Sequence, residues 1–358
     1  MQRLLRGLRA ALAQILLLAA PGCDSRAPPA PPAPAAVTTP AGAPTFLKGQ
    51  LHAHTSGSGD SDTPPAEAAA WYAAHGYDFV VLTDHNRVTE VASPPGLLVL
   101  RGVELTQNLR TCTPPPAPGD ACLLHLNALF VARTPGPTIF GPPASQVRAD
   151  LYGRALDRAL ALGGVAQLDH PNFQGGADLD VLLSLTARGL TLVEIANEAV
   201  DSDNEGGPGR LSTEALWDAA LARGARVYGT ATDDAHHYGD ADRVRAAGGV
   251  AYTGDRGFVM VRAARTAEAI RAAVAGGDFY ASTGVLLDRL ELGPGGLDVE
   301  PRAGGGPYTF EVVAGGRVVS REQGARLRFD PRPVAPAVVR VRVSDAAGRR
   351  AWTQPVWP

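Results

Sequence analysis

Short apolar runs alternate with helical segments over residues 46–285, and this alternation limits the available folds more than any other feature. Eight runs are predicted to be strands: Phe46–Leu51, Phe79–Leu82, Leu97–Val103, Leu124–Val131, Val165–Leu168, Leu192–Ala196, Val227–Thr230 and Phe258–Val261. Several are apolar almost throughout, which is typical of strands covered on both faces. Seven or eight strand–helix units predict a parallel α/β barrel, with a doubly wound sheet as the alternative.

The helices between these runs have recognisable ends. Starts are predicted next to Pro64, Ser145, Ser212 and Thr266, and ends at Gly76, Gly163, Gly224 and Gly276. After about residue 286 the pattern changes to Gly/Pro turns and short β runs without helical periodicity. These runs are Tyr308–Val313, Arg317–Ser320, Leu327–Asp330 and Val338–Val343. The fold class is therefore predicted to be α/β, a barrel domain over residues 46–285 followed by a small all-β, sandwich-like unit over 286–358.

The N-terminal residues are predicted to form an export signal rather than part of the folded domain. Residues 1–23 combine three arginines, a short apolar stretch and Cys23, in a context that resembles the lipobox of bacterial lipoproteins. We expect an exported protein that faces the periplasm or the cell surface and touches the membrane only through a lipid on Cys23. A simple secretory signal and a retained anchor are the alternatives. Residues 24–45 are rich in Pro and Ala and are predicted to be an extended linker.

Charge and cysteines narrow the class of protein further. The formal net charge is −3, and removal of the signal arginines leaves 30 basic residues against 36 acidic ones. Without a basic run, we expect no nucleic-acid partner. Cys112 and Cys122 bracket a loop rich in Pro and Gly, and in an oxidising compartment we expect them to form a disulfide. Two unpaired thiols are the alternative.

Histidines and one glutamate gather at the ends of the predicted strands. Six of the eight histidines lie at or just beyond a strand end: His52, His54, His85, His125, His170 and His236. His52 and His54 are two residues apart, so both can point to the same side of a strand. Glu104 lies at the same edge, where the active sites of βα barrels form. Imidazoles and carboxylates without thiolates predict Zn²⁺, Mn²⁺ or Fe²⁺.

The order of these motifs resembles the PHP family, the polymerase and histidinol phosphatase superfamily. The shared features are an HxH, a Thr-Asp-His, a strand-end Glu, a further His and a late Asp-x-His, together with the segment Asp278–Gly284. The resemblance covers residues 46–285. It implies a distorted (β/α)7 barrel of the PHP type that carries two or three divalent metal ions.

The resemblance also implies a set of metal ligands. It implies that His52, His54 and Asp234 bind the first metal, and that Glu104 bridges this metal to a second. His125 and His170 complete the second site. The third metal is held by Asp60, His85 and His236. The family places its first aspartate where this chain has Gly59. We therefore favour Asp60 over Asp62 as the metal ligand, and the third option is that neither aspartate binds a metal. Asp84 and Asp169 are expected to support neighbouring histidines, while His75 and His237 are expected not to bind metal.

Together these expectations predict that the protein is a metal-dependent hydrolase. The favoured reaction is hydrolysis of a small phosphate ester by a metal-bridged hydroxide, since no GxSxG elbow offers a serine nucleophile. Arg87 and Arg110 are candidate phosphate contacts. One alternative is a carboxylic or carbamate ester hydrolase on the same site, and another is a non-catalytic, envelope-tethered binding protein. Amidohydrolases with a bridging carboxylated lysine are excluded, because the only lysine is Lys48, upstream of the HxH.

Overall fold

The chain folds into a mixed α/β structure, and the computed structural model describes residues 46–136 and 138–357. The predicted export signal, the linker and Cys23 lie outside the described residues. The described strands are β1 Phe46–Gln50, β2 Phe79–Leu82, β3 Leu98–Leu109, β4 Cys122–Leu129, β5 Val165–Leu168, β6 Leu192–Asn197, β7 Tyr228–Thr232, β8 Phe258–Arg262, β9 Phe279–Ser282, β10 Leu287–Gly293, β11 Gly296–Pro301, β12 Tyr308–Ala314, β13 Arg317–Gly324, β14 Leu327–Phe329, β15 Val339–Ser344 and β16 Arg350–Thr353. The helices are α1 Pro65–Ala74, α2 Arg148–Ala161, α3 Leu179–Thr186, α4 Thr213–Ala222, α5 Ala241–Ala246 and α6 Ala267–Gly276.

The helix ends follow the capping chemistry of the sequence. Ser212 accepts a hydrogen bond from the backbone N–H of Ala215, and Thr266 accepts one from that of Ala269. Each side chain accepts from a backbone N–H that the first turn of a helix leaves without a partner. The helices α4 and α6 therefore begin where predicted. In the described ranges, no helix combines the length and apolar character needed to cross a membrane.

One large sheet organises the described chain. Thirteen strands follow the order β13-β12-β15-β16-β9-β8-β1-β2-β3-β4-β5-β6-β7, and β10, β11 and β14 form a separate sheet. The pairs β1–β2, β2–β3, β5–β6 and β6–β7 are parallel, whereas β1–β8, β3–β4, β4–β5 and β8–β9 are antiparallel. The prediction of a parallel sheet is therefore wrong at β1–β8, β3–β4 and β4–β5, and β9 lies outside the predicted strands. In β3–β4 the cause is plain, because a loop without a helix connects the two strands and only an antiparallel hairpin can follow.

The loops after β1 and β7 meet although β7 lies at one end of the sheet order. Ala53 and Ala235 form a parallel bridge, and the backbone N–H of His54 donates to the carbonyl of Ala235 at 2.9 Å. The backbone N–H of Asp234 donates to the carbonyl of His52 at 3.1 Å. The sheet thus curves until its carboxyl-end loops face one another, which brings distant parts of the sequence to one place.

The strands after residue 286 are antiparallel, as the sequence predicts, but they continue the main sheet. β16 pairs with β9, with Ala351 opposite Ser282. The smaller sheet packs on this extension, and Leu290 and Leu327 share one apolar cluster with Phe310. The boundary at residue 285 stays a prediction, and the core crosses it without a break.

Cys112 and Cys122 form the predicted disulfide at the end of the β3–β4 hairpin. Both cysteines are buried in the apolar cluster that also holds Leu105 and Leu124 from the same two strands. The bond closes a loop of the hairpin that carries Glu104 and His125. It therefore limits the freedom of the loop in the unfolded chain.

Replacing both cysteines by alanine is expected to lower the free energy of unfolding by about 3 kcal/mol, the chain-entropy value for a short closed loop. Urea denaturation of the variant and of the wild-type protein measures the difference. Wild-type protein treated with a reductant is the control and should fall to the stability of the variant. Equal midpoints for oxidised wild type and variant would contradict a stabilising bond.

Candidate metal centre

The predicted metal ligands come together in the structure, most of them just after the carboxyl end of a strand. His52 and His54 directly follow β1, His85 follows β2, and Glu104 lies within β3. His125 lies in β4, His170 follows β5, and Asp234 and His236 follow β7. The nine predicted residues all fall into groups whose ligand atoms lie within 4.8 Å of one another: His52, His54, Asp60, His85, Glu104, His125, His170, Asp234 and His236. These buried clusters could hold divalent metal ions.

Glu104 lies between two sets of imidazoles. The contacts of its Oε2 are His85 Nδ1 at 2.7 Å, His54 Nε2 at 3.4 Å and His52 Nε2 at 3.7 Å. The contacts of its Oε1 are His125 Nδ1 at 2.7 Å and His170 Nε2 at 3.6 Å. Each carboxylate oxygen thus faces its own group of nitrogens, which is the arrangement of a carboxylate that can bridge two ions.

Asp234 and Asp60 complete the other groups. Asp234 Oδ1 lies 3.1 Å from His54 Nε2 and 3.3 Å from His52 Nε2. Asp60 Oδ2 lies 2.9 Å from His85 Nε2 and 3.4 Å from His236 Nε2. The side chain of Asp62 is 90% exposed and faces Arg243 instead. The structure therefore brings Asp60 into the cluster and leaves Asp62 outside it.

Buried atoms without hydrogen bonds show that the donor set fits metal ions. Within the described chain, Nε2 of His52, Nε2 of His54 and both oxygens of Glu104 are buried and make no hydrogen bond. Burying such groups without a partner is costly, and carboxylates and imidazoles are the usual ligands of divalent transition metals. One cation in the group of His52, His54 and Glu104 and another in the group of Glu104, His125 and His170 would give these atoms partners.

The backbone is strained at two of these positions. His170 has a φ of 23° and Asp234 a φ of 50°, in the left-handed region that residues with a Cβ rarely adopt. Asp234 is held there by the hydrogen bond from its N–H to His52, and His170 by a 2.6 Å bond from its N–H to Glu194 Oε2. Strain of this kind persists where surrounding contacts fix a functional geometry.

The charges of the cluster are shared between carboxylates and imidazoles. Burial alone raises the pKa of Glu104, but His85 and His125 outweigh burial and hold that pKa well below its usual range. Burial likewise raises the pKa of Asp234, and His52 with its neighbours brings it well below the usual range. Burial, reinforced by His236, lowers the pKa of His54 to about 4. Burial lowers the pKa of His52, His85, His170 and His236, but neighbouring carboxylates outweigh it and raise their pKa, so a cation bound here would displace protons from these imidazoles.

Hydrogen bonds to neighbouring side chains orient both imidazoles of the HxH motif. Nδ1 of His52 donates to Glu194 Oε1 at 2.8 Å, which leaves Nε2 as the ring nitrogen turned toward the centre. Nδ1 of His54 contacts Ser58 Oγ at 2.8 Å, and that hydroxyl donates to Asp84. Asp84 therefore supports His54 through Ser58. Asp169 Oδ1 lies 4.0 Å from His52 Nδ1, beside Glu194.

Glu194 is the residue that the sequence prediction missed. It is fully buried in β6 and accepts hydrogen bonds from Thr232 Oγ1 and Asn197 Nδ2 as well as from His52 and His170. Its only sequence signal is a carboxylate inside the apolar run Leu192–Ala196, which we interpreted as a plain buried strand. A charged residue in such a run has to be paired, and that rule could have identified it.

Replacing Glu194 by glutamine is expected to weaken metal binding by about 10- to 100-fold, because the amide has no charge and only one acceptor oxygen for the donors that now share two, so the His52 ring is held less firmly. Titration of metal-free protein with Zn²⁺ or Mn²⁺ measures the affinity. Glu198→Gln is the matched control, since Glu198 follows the same strand and belongs to none of the ligand groups. Equal affinities for the two variants would show that Glu194 does not orient the site.

A pocket of about 250 Å³ opens onto the cluster. Besides ligand candidates it is lined by Phe173, Ala199, Asp201, Ser202, His237 and Tyr252. Arg87 and Arg110, the candidate phosphate contacts, are exposed and do not line it. His75 is exposed and stacks on Trp71, and Lys48 pairs with Asp255 at 2.5 Å, so neither belongs to the cluster.

A second cleft of about 500 Å³ lies beside α4 and β16 and holds four arginines. Carboxylates compensate them: Arg342 lies 2.7 Å from Glu214, Arg349 2.6 Å from Asp345, Arg256 3.7 Å from Glu198, and Arg350 3.7 Å from Glu205. Because each guanidinium already faces an acidic partner, this cleft offers little free charge to an anion. The metal-ligand cluster remains the candidate functional site.

Fold and site together define a mixed α/β protein with a buried histidine–carboxylate cluster that could hold divalent metal ions. No protein-family model matches the chain, and no curated protein is significantly similar to it in sequence.

Proposed function

We propose that the protein is a metal-dependent hydrolase of the PHP type that acts on a small phosphate ester. The observation that carries the proposal is Glu104, whose two oxygens face separate groups of imidazoles. With Asp234 and Asp60 beside it, the cluster offers ligands for two or three ions. Several ions in one site are typical of enzymes that clamp both oxygens of a displacement reaction.

The proposal includes the distorted barrel of the PHP type for residues 46–285. Two features support it: the bridge between Ala53 and Ala235, and the convergence of ligands from β1, β3, β4 and the loops after β5 and β7. A sheet that curves back on itself brings the carboxyl ends of its strands around one centre.

The residues of this chain would position the reactants. Divalent ions, when bound, would lower the pKa of a water molecule and neutralise charge on the ester oxygens. Glu194 and Ser58 hold the imidazoles of His52 and His54 with Nε2 toward the centre. Phe173 and Tyr252 line the pocket and would reduce the access of bulk water to the ester.

A carboxylic or carbamate ester is the second candidate substrate. Within the described part of the chain, no arginine or lysine lines the pocket, so the protein itself supplies no cation to a phosphate dianion. An uncharged ester would need none. The phosphate ester remains the first candidate because the ions would supply the positive charge.

The test is a panel of p-nitrophenyl phosphate, bis-p-nitrophenyl phosphate and an aryl carbamate, assayed with and without Mn²⁺ or Zn²⁺. We expect metal-dependent turnover of a phosphate ester, loss of bound metal and turnover in His52→Ala, and wild-type behaviour in His75→Ala. Turnover of the carbamate alone would replace the phosphoesterase by the second candidate. Fewer than one ion per chain would overturn the metal-dependent hydrolase, and bound metal without turnover would favour a tethered binding protein.

We further propose that the protein is exported and anchored by a lipid on Cys23. The disulfide between Cys112 and Cys122 supports an oxidising compartment, since such bonds persist mainly in exported proteins. Mass spectrometry of protein extracted from membranes tests the anchor. A cleaved chain that begins at a lipidated Cys23 is expected, and an unmodified chain in the soluble fraction would contradict it.

A further inference from the structure

The cleft beside α4 and β16 is built separately from the metal-ligand cluster. Among the described residues, none lines both this cleft and the pocket over the cluster, although the loop after β6 contributes to each. Its volume of about 500 Å³ lies in the range of pockets that hold a small organic molecule. Most such pockets are lined by apolar side chains, whereas this lining consists mainly of arginine, glutamate, asparagine, serine and threonine. A ligand of this cleft would therefore be hydrophilic.

Two ion pairs in this cleft are too wide for a direct hydrogen bond. The guanidinium of Arg256 lies 3.7 Å from the carboxylate of Glu198, and that of Arg350 lies 3.7 Å from Glu205. Direct N–H···O bonds have nitrogen–oxygen distances of about 2.7–3.2 Å. The other two arginines of the cleft contact their carboxylates at 2.7 and 2.6 Å. Within the described chain, the two wide pairs thus leave guanidinium donors and carboxylate acceptors free.

The two wide pairs lie close to each other. Burial raises the pKa of Glu198, while the positive charges of Arg256 and Arg350 act to lower it. Both guanidiniums are therefore near enough to act on one carboxylate. Trp352 adds a further donor to the lining, since it is 2% exposed and its buried Nε1 makes no hydrogen bond within the described ranges. The cleft thus combines unused donors with unused acceptors in one small volume.

The chemical group that fits both wide pairs is a hydroxyl. One oxygen placed roughly 2.8–2.9 Å from each partner closes a gap of 3.7 Å, because it accepts from the guanidinium and donates to the carboxylate. A ligand carboxylate only accepts, so it would meet both glutamates without a donor. An ammonium only donates, so it would meet both arginines without an acceptor. The two pairs therefore favour an uncharged ligand that carries several hydroxyls.

We propose that this cleft binds a neutral sugar, with one hydroxyl bridging Arg256 to Glu198 and another bridging Arg350 to Glu205. Water can bridge each pair as well, but a sugar holds its hydroxyls on one ring, so the second bridge forms without a second loss of translational freedom. The site does not depend on the proposed hydrolase activity. It gives the protein a second binding function, toward carbohydrate, beside the metal-ligand cluster.

Calorimetric titration of the purified full-length protein tests this site with three hexoses. D-glucose, D-galactose and D-mannose are each compared with their own uronate and their own 2-amino sugar, which share the ring and add a negative or a positive charge. At least one neutral hexose is expected to bind with a Kd of about 1 mM or below, and its two charged counterparts at least several-fold more weakly. Absence of binding by all three hexoses, or tighter binding of a charged counterpart, would overturn the proposal.

Two variants assign the binding to the cleft. Arg256→Ala and Arg350→Ala are each expected to weaken binding of the hexose about 10-fold, because each removes the donor of one bridge. Their side chains are 43% and 39% exposed, so the fold should be kept. Arg302→Ala is the matched control, since Arg302 is exposed, pairs with Asp288 at 3.0 Å and does not line the cleft.

Only the binding that differs between wild type and Arg350→Ala is counted for each sugar, so any sugar held at the metal-ligand cluster does not enter the comparison. The control should bind the hexose as tightly as wild type. Hexose binding that both arginine variants leave unchanged, or that Arg302→Ala weakens equally, would overturn the site in this cleft.

Discussion

Glu104→Gln is expected to release at least one metal ion per chain and to reduce kcat/KM by about 10³-fold or more. Glu104 is the residue whose two oxygens face both imidazole groups, 2.7 Å from His85 and 2.7 Å from His125. An amide has one oxygen and no charge, so it cannot serve two ions at once. Several kcal/mol of charge stabilisation from metals corresponds to rate losses of this size.

Metal analysis of the purified protein and steady-state kinetics measure the two effects together. Glu90→Gln is the matched control, since Glu90 is exposed and pairs with Arg101 at 3.2 Å, outside all ligand groups. The control should keep its metals and its activity. Full metal content in Glu104→Gln would show that Glu104 does not bridge ions.

Arg340→Ala is expected to lower the free energy of unfolding by about 3–5 kcal/mol, the usual loss when one partner of a buried ion pair is removed. The side chain of Arg340 is 2% exposed and lies over the ring of Trp217. Its guanidinium donates to Asp218 and to Glu214 at 2.7 Å. Its removal leaves these largely buried carboxylates short of a counter-charge and opens a cavity beside Trp217.

Chemical denaturation followed by tryptophan fluorescence measures the loss. Arg321→Ala is the control: its side chain is 69% exposed, and its partner Glu311 keeps a second contact with Arg342. Because Arg321 itself is exposed and the buried Glu311 keeps Arg342, the control should lose about 1 kcal/mol or less. Similar losses in both variants would contradict a special role for the buried Arg340.

The buried strands could be predicted from sequence because their apolar runs leave little choice. β2 and β5 have the bounds that the runs predict, and β6 extends one residue further, to Asn197. Strand direction is harder, because an apolar run looks the same in a parallel and an antiparallel sheet. The β3–β4 hairpin was missed for this reason, although the loop between Leu109 and Cys122 has no helical pattern.

The ligand residues were predictable because several signals coincide at strand ends. The nine residues come together in the structure, yet their role as ligands remains to be tested by the metal analyses above. Glu194 escaped prediction because its partner His52 is 142 positions away and no local motif connects them. Arg87 and Arg110 lie near ligand motifs in sequence but do not line the pocket, because sequence proximity does not direct a side chain into a pocket; their role as phosphate contacts stays a prediction.

The central position of β1 has a consequence for the time course of folding. Phe46 lies opposite Arg262, and β8 then leads through β9 to β16 near the end of the chain. Contacts between segments so far apart form slowly, because a long chain must close before it gains any stabilisation. The sheet therefore cannot be completed while the ribosome still holds the last strands. Such a delay is compatible with the export proposed above, which requires a chain that is still unfolded.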